Sequence, residues 1–216
     1  MRSILIIGLG RFGTNLARKL YELGNEVLVA DIDEKLINDL APYVTRAQIG
    51  DCTDADVLRS LGVSNFDLCF VCISDSFQSS LEITSMLKEL GAKHVVAKAD
   101  REIHAKLLKK IGADDIIFPE RDMAQRAAVK YSARYAFDYI ELTPEYSIAE
   151  TLPPESWIGR TVRDVDVRNT HRINIIGVKK DGRILPLTAA DHVFSRDEHL
   201  IIAGGKRDVF HLMDKI

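Results

Sequence analysis

The chain opens on an apolar run that breaks into glycines: ILIIGLGRFG, Ile4 to Gly13. Four aliphatic residues in a row read as a strand buried on both faces, and the glycines end it in a tight turn. The residues that follow, from Gly13 to Leu23, have helical spacing. Strand, glycine loop and helix in that order restrict the chain to a few α/β architectures.

The same rhythm repeats to about Phe118. Strands are expected at Ser3–Ile7, Glu26–Ala30, Arg46–Ile49, Asp67–Ile73, His94–Lys98 and Asp115–Phe118. Helices are expected between them at Gly13–Leu23, Glu34–Ala41, Asp54–Leu61, Phe77–Leu90 and Arg101–Ile111. Gly62, Gly91 and Gly112 follow three of the helices, where a C-terminal glycine belongs. Alternation of this kind predicts a doubly wound, Rossmann-like parallel sheet over residues 1–118. Pro119 then starts a long helix, expected to run to Arg134 and to act as a crossover within residues 119–138. Its apolar positions form no single stripe, so it is expected to pack on several sides. Residues 139–216 read as a small α+β module. It comprises strands at YIELT and YSIAETLP, a short helix at Val162–Val165 and a hairpin turning at Asp181-Gly182. A strand HLIIAGG and a closing helix at Lys206–Met213 complete it.

With 46% hydrophobic residues the chain can bury a core, and a net charge of −3 gives no basis for a nucleic-acid surface. No apolar run approaches the roughly 20 residues of a membrane span. The first apolar run is too short for a signal peptide, so a cytoplasmic protein is expected. Of three cysteines, Cys69 and Cys72 have the C-x-x-C spacing, but on a strand they face opposite sides. They read, with Cys52, as core residues rather than a redox or zinc pair.

Gly8, Gly10 and Gly13 satisfy G-x-G-x-x-G. Gly8 allows the turn, Gly10 lets backbone approach a pyrophosphate, and Gly13 lets helix and sheet pack closely. Asp31 ends the second strand in VLVADID, where a carboxylate accepts from both ribose hydroxyls and repels a 2′-phosphate. Asp33 is the better placed cap for the next helix. Asp51, in GDCTD, reads as a contact to the adenine edge, with Thr53 or Asp54 capping the helix after it; the plainer reading makes both acids caps. Arg11 is a cation inside the phosphate loop. A ligand more charged than NAD, such as ATP, would benefit from it; otherwise it points to solvent or a neighbouring subunit. Lys98 sits on the carboxyl edge of the sheet, where ligands bind, or is a plain edge lysine. Phe12, Ile32 and Cys52 complete the expected lining.

GLGRFG, IGDCTD, VAKAD and IGADDIIFPERDMAQR together resemble the cytosolic gating subunits of bacterial Ktr/Trk potassium-uptake systems, over essentially the whole chain. The resemblance implies a regulator-of-potassium-conductance N-terminal domain followed by its C-terminal partner. It implies homodimers assembled into an octameric ring at the inner face of the membrane, beneath an integral-membrane potassium-translocating subunit. ATP would favour the conducting state and ADP a less active one, and some Trk-type relatives bind NAD or NADH. By motif, Arg11 would approach the γ-phosphate, Lys98 would contact phosphate, and Glu120 would lie near Mg²⁺ or another cation there. The plainer reading of Glu120 is a first-turn acid favoured by the helix dipole. Arg168, Asn174, Ile175 and Pro186 fall in stretches comparable to the family's cyclic di-AMP site, though Asn169 to Arg172 depart from the usual run there. A hydrophobic dimer interface is the plainer reading.

A small NAD-dependent oxidoreductase is the alternative that the glycine loop and Asp31 also permit. The second module leaves little room for a substrate pocket. His171, His192, His199 and His211 carry no catalytic motif and read as surface or interface histidines. The expectation is therefore a binding protein and not an enzyme.

Overall fold

The computed structural model describes residues 1–132, 136–186 and 189–214. It divides into two compact units, residues 1–121 and 122–216.

The first unit is built on six parallel strands. They are β1 (Ser3–Ile7), β2 (Glu26–Asp31), β3 (Arg46–Ile49), β4 (Leu68–Val71), β5 (Val95–Lys98) and β6 (Asp115–Ile117). Their order is β3-β2-β1-β4-β5-β6, every neighbouring pair parallel. The connecting helices are α1 (Arg11–Glu22), α2 (Glu34–Leu40), α3 (Ala55–Leu61), α4 (Phe77–Glu89) and α5 (Glu102–Ile111). Alternate residues of each central strand serve two separate cores. Leu5, Ile7, Cys69 and Val71 join one cluster with Ile83, Leu87 and Leu108. Ile4, Ile6, Val27 and Val29 join the other with Ala17, Ile37, Leu40 and Cys72. Cys69 and Cys72 thus lie in opposite layers, as period-2 alternation requires. Burial pushes all three thiols up to about 12, so they are protonated core groups at neutral pH.

The element limits differ from the sequence reading in ways with local causes. α1 starts at Arg11 and not at Gly13, because Gly10 is its N-cap and its carbonyl accepts from the Thr14 amide at 3.0 Å. β4 spans Leu68–Val71 rather than Asp67–Ile73, and the Asp67 carboxylate beside its start accepts from the Ser3 amide at 3.0 Å. Gly62, Gly91 and Gly112 all have positive φ, the left-handed geometry that ends a helix.

Helix α6 (Pro119–Ser132) carries the chain from the first unit into the second; the expected end at Ala133 and Arg134 lies outside the described residues. The second unit is a five-stranded antiparallel sheet, ordered β10-β9-β11-β8-β7. Its strands are β7 (Ala136–Glu141), β8 (Tyr146–Thr151), β9 (Ile173–Lys180), β10 (Arg183–Pro186) and β11 (His199–Gly205). Asp181 and Gly182, both at positive φ, make the β9–β10 hairpin turn. Helices α7 (Val162–Val165) and α9 (Lys206–Met213) fall where the sequence puts them. Between α7 and β9 the chain adds a helix the sequence reading lacks, α8 (Val167–His171), bracketed by Asp166 and Arg172 at positive φ. Phe194, Trp157, Ile173, Leu200, Ile202 and Leu212 fill this unit's core.

Candidate functional site: a cleft at the carboxyl edge of the parallel sheet

The strand order reverses direction between β1 and β4, and in doubly wound sheets that switch point opens a crevice beyond the strand ends. A cleft of about 650 Å³ lies there. Its lining includes Gly8, Gly10, Arg11, Phe12, Asp31, Ile32, Asp51, Cys52, Lys98 and Glu120. Those are all of the sequence-predicted lining residues except Gly13, which lies beneath the loop. Ser74, Asp75, Ser76 and Ser79, from the β4–α4 connection, were not anticipated.

The three glycines have different physical reasons. Gly8 has φ +94°, and a Cβ there would come within 3.1 Å of the Cys72 carbonyl carbon. A Cβ on Gly13 would stand 2.0 Å from the Gly8 carbonyl oxygen, so α1 can approach the loop only without a side chain. A Cβ on Gly10 would meet no protein atom within 4 Å. Protein packing therefore does not demand glycine at Gly10, and the open space over it leaves room for a ligand to approach the backbone. The first turn of α1 contains no acid, leaving its positive end open to phosphate oxygens.

Asp31 is tied into this loop. Its Oδ2 accepts from the Leu9 amide at 2.5 Å and its Oδ1 from the Asp33 amide at 2.9 Å. A carboxylate has about four acceptor positions, so two backbone bonds fix the group and leave capacity for hydroxyl donors. Asp33 caps α2, accepting from the Lys35 and Leu36 amides. Asp51 accepts from both the amide (2.9 Å) and the hydroxyl (2.7 Å) of Thr53, which lower its pKa. Asp54, not Thr53, caps α3. Ile32 is 70% exposed at the rim of the cleft, an apolar surface beside Asp31.

At the opposite end of the cleft Lys98 is buried to 7% exposure. Its Nζ donates to Ser74 Oγ at 2.6 Å and to Glu120 Oε1 at 2.8 Å, and lies 3.5 Å from Asp100 Oδ1. Burial pulls its pKa down, but these carboxylates outweigh it and the net shift is upward. Lys98 is thus a buried, charged hub and not a plain edge lysine. Glu120, in the first turn of α6, is held below its ordinary value chiefly by Lys98. Among the described residues no cluster of three or more His, Cys, Asp or Glu side chains could hold a metal ion.

In the second unit, Arg168 Nε donates to Asn174 Oδ1 at 2.8 Å, and Ile175 packs against the core. Pro186 pairs with Gly177 across the hairpin. The histidines are less superficial than expected, with only His211 exposed. His192 meets the buried Glu198 at 3.0 Å, His199 Nδ1 meets Glu150 at 2.7 Å, and His171 lies against Trp157. Alternation on β11 turns His199 to the face opposite the core, and its partner Glu150 lies 49 residues away, too far to be paired with it by spacing.

Two family models divide the chain: the TrkA-N domain matches residues 4–119 and the TrkA-C domain residues 148–216. The chain belongs to the TrkA family. It is 39% identical over 208 residues to "Ktr system potassium uptake protein C" of Bacillus subtilis (strain 168), covering 96% of this chain and 94% of that one. It is 37% identical over the same length to "Ktr system potassium uptake protein A" of that organism. Among solved structures, the GsuK channel superposes with a TM-score of 0.70 at 21% identity. That match covers 100% of this chain and 40% of the channel chain. The GsuK channel bound to NAD gives 0.67 at 22%. These likenesses confirm the pairing of a doubly wound sheet with a small antiparallel one. No helix among the described residues is long and apolar enough to cross a membrane.

Proposed function

We propose that this chain is the nucleotide-sensing regulatory subunit of a potassium-uptake system, and not an enzyme. The observation that carries the reading is the cleft: a glycine loop, Asp31 fixed on the loop amide and Lys98 at the far end, in one crevice. Relatives at 39% and 37% identity, both named as Ktr potassium uptake proteins, supply the physiological setting. The subunit works at the inner face of the membrane against an integral-membrane potassium-translocating partner. Homodimers of it form an octameric ring whose shape changes with nucleotide. Domains are assigned at 1–118 (nucleotide-binding), 119–138 (crossover) and 139–216 (regulatory).

The ligand is ATP or ADP. The adenosine lies along Asp31, Ile32, Asp51 and Cys52, with the phosphates on Gly8, Gly10, Phe12 and the start of α1, packed over Gly13. Arg11, exposed and forming no side-chain bond among the described residues, supplies charge for a γ-phosphate. A ligand shifts a two-state ring only by its differential affinity for the two shapes. A γ-phosphate contact present in one shape gives ATP that difference from ADP. A cation at the phosphates, ligated by Glu120, requires Glu120 to leave Lys98. Arg168, Asn174, Ile175 and Pro186 are proposed as a second site, for cyclic di-AMP; the Arg168–Asn174 bond supports an ordered polar patch there. NAD(H) is the second reading. Asp31 permits it, since an unphosphorylated ribose occurs in NAD as in ATP.

A thermal-shift series with ATP, ADP, NADH and cyclic di-AMP, with and without Mg²⁺, tests the assignment. A ligand at a hundred times its Kd adds roughly 2.7 kcal/mol of stability. Distinct stabilisation by ATP and ADP is expected. Stabilisation by NADH alone selects the second reading, and a response to none rejects nucleotide sensing.

A further inference from the structure

Lys98 is held by protein groups on the side from which a ligand arrives. Its hydroxyl and carboxylate partners Ser74 and Glu120 both line the cleft, while Asp100 does not. We propose, building on the nucleotide reading above, that a ligand phosphate and the Glu120 carboxylate compete for Lys98, so that Glu120 is an antagonist of anion binding whose release signals occupancy to α6.

An ammonium has three N–H donors, and this one spends two on Ser74 and Glu120, while Asp100 lies 3.5 Å away as an ion-pair partner. A phosphate oxygen that takes a cleft-facing donor displaces Ser74 or Glu120. Ser74 is neutral and can itself donate to phosphate, so its presence costs the ligand little. Glu120 carries a full negative charge, repels the anion, and with a side chain 69% exposed is readily rehydrated once released. Lys98, with a side chain only 6% exposed, needs a negative partner whichever one it has. The exchange therefore conserves the buried cation's neutralisation while moving one carboxylate.

The carboxylate that moves sits at a sensitive place. Glu120 is the second residue of α6, the helix in which the first unit gives way to the second. The neighbouring Arg121 stays bound to Glu102 and stacked on Phe118, so the first turn gives up the Glu120–Lys98 tie and keeps those of Arg121. The device is local, and it answers to charge at the far end of the ligand.

The proposal predicts something a direct ligand contact does not. Glu120→Gln should tighten binding of ATP in EDTA by about two- to five-fold, the range of one ion pair with an exposed partner. Lys98→Met should weaken binding, and Glu120→Gln in that background should change affinity less than two-fold. Calorimetric titration of ATP into the four full-length proteins reads all three numbers. Thermal melts without ligand establish that each is folded. Hydrogen exchange at residues 120–124 should quicken on ATP binding in the parent and not in Glu120→Gln. A Glu120→Gln protein that binds ATP less tightly, or equally, overturns the antagonism. If the parent binds no adenine nucleotide, the failure lies with the nucleotide reading instead.

Discussion

Under the proposed nucleotide reading Asp31 joins loop geometry to ligand recognition, and replacing it with asparagine separates the two. The carboxylate accepts from Leu9 and Asp33 amides at 2.5 and 2.9 Å. An asparagine has one carbonyl oxygen, so its NH₂ must face one of those amides, donor against donor. The shorter bond, to Leu9 in the glycine loop, is the one the oxygen retains. The Asp33 amide then loses its partner at a half-exposed site where water substitutes, and the folded protein loses roughly 1 kcal/mol. Ligand binding suffers more. A hydrogen bond to a charged acceptor contributes about 1.5–3 kcal/mol, and the ribose hydroxyls would lose that acceptor. At 1.4 kcal/mol per tenfold, Asp31→Asn should weaken ADP by about ten- to a hundred-fold while the unliganded melt falls by only a few degrees. Isothermal titration with ADP and with 2′,3′-dideoxy-ADP decides between causes. Parent and variant should bind the dideoxy compound alike, because neither has a hydroxyl to satisfy. Equal loss for both ligands would place the defect in the loop backbone, and a Kd for ADP within three-fold of the parent would refute ribose recognition by Asp31.

Three further outcomes follow from the same geometry. Gly13→Ala puts a methyl 2.0 Å from the Gly8 carbonyl oxygen, a backbone atom that cannot swing aside; overpacking of about 1–3 kcal/mol should lower the melting temperature by about 5–15 °C, and a melt unchanged within 2 °C would contradict the close approach. Arg11→Ala should leave ADP affinity nearly unchanged and reduce the preference between ATP and ADP, read by titration calorimetry; equal discrimination in parent and variant counts against a γ-phosphate contact. For acid stability, burial raises Glu150, but hydrogen bonds from Lys179 and His199 outweigh it, so its folded pKa is lowered. A depressed carboxylate stabilises fully above its unfolded pKa of about 4.3, and that contribution is lost as pH falls through the folded value. Urea melts between about pH 7 and 3 should fall less steeply for Glu150→Gln than for the parent; parallel curves would show that this pair does not contribute.

Much of the first unit was legible because its code is local. Apolar runs such as ILIIG and DLCFVCIS mark buried strands, glycines end helices, and Asp33 and Asp54 cap α2 and α3 from within two or three residues. The pairing that makes the cleft specific is not local. Leu9 and Asp31 are joined across 22 residues, and Lys98 and Glu120 across another 22, by a strand order that only the folded sheet provides. Sequence singles out Lys98 and Glu120 as separate phosphate and cation contacts; the structure makes them partners of each other. The second unit was less legible for a similar reason. Helix α8 has five residues bracketed by two left-handed positions, Asp166 and Arg172, and neither is a glycine that would advertise the turn.

The division of the cleft limits where ligand discrimination can arise. ATP, ADP and NAD share the adenosine and its first two phosphates, so whatever Asp31, Asp51 and the glycine loop contribute is common to all three. Uniform affinity shifts no conformational equilibrium, however tight. The distinguishing groups begin beyond the second phosphate, and the side chains of the cleft that can meet them are Arg11, Ser74, Lys98 and Glu120. Of these, Arg11 is exposed and makes no side-chain bond among the described residues, whereas Lys98 is buried and already neutralised. An added γ-phosphate can therefore be met in two ways: by recruiting Arg11, which gains a partner, or by displacing Glu120, which loses one. The first ties the phosphate loop to the ligand. The second loosens the start of α6. A sensor built on this cleft reads ligand charge through the balance of those two events, and the adenosine half sets only the concentration at which reading begins.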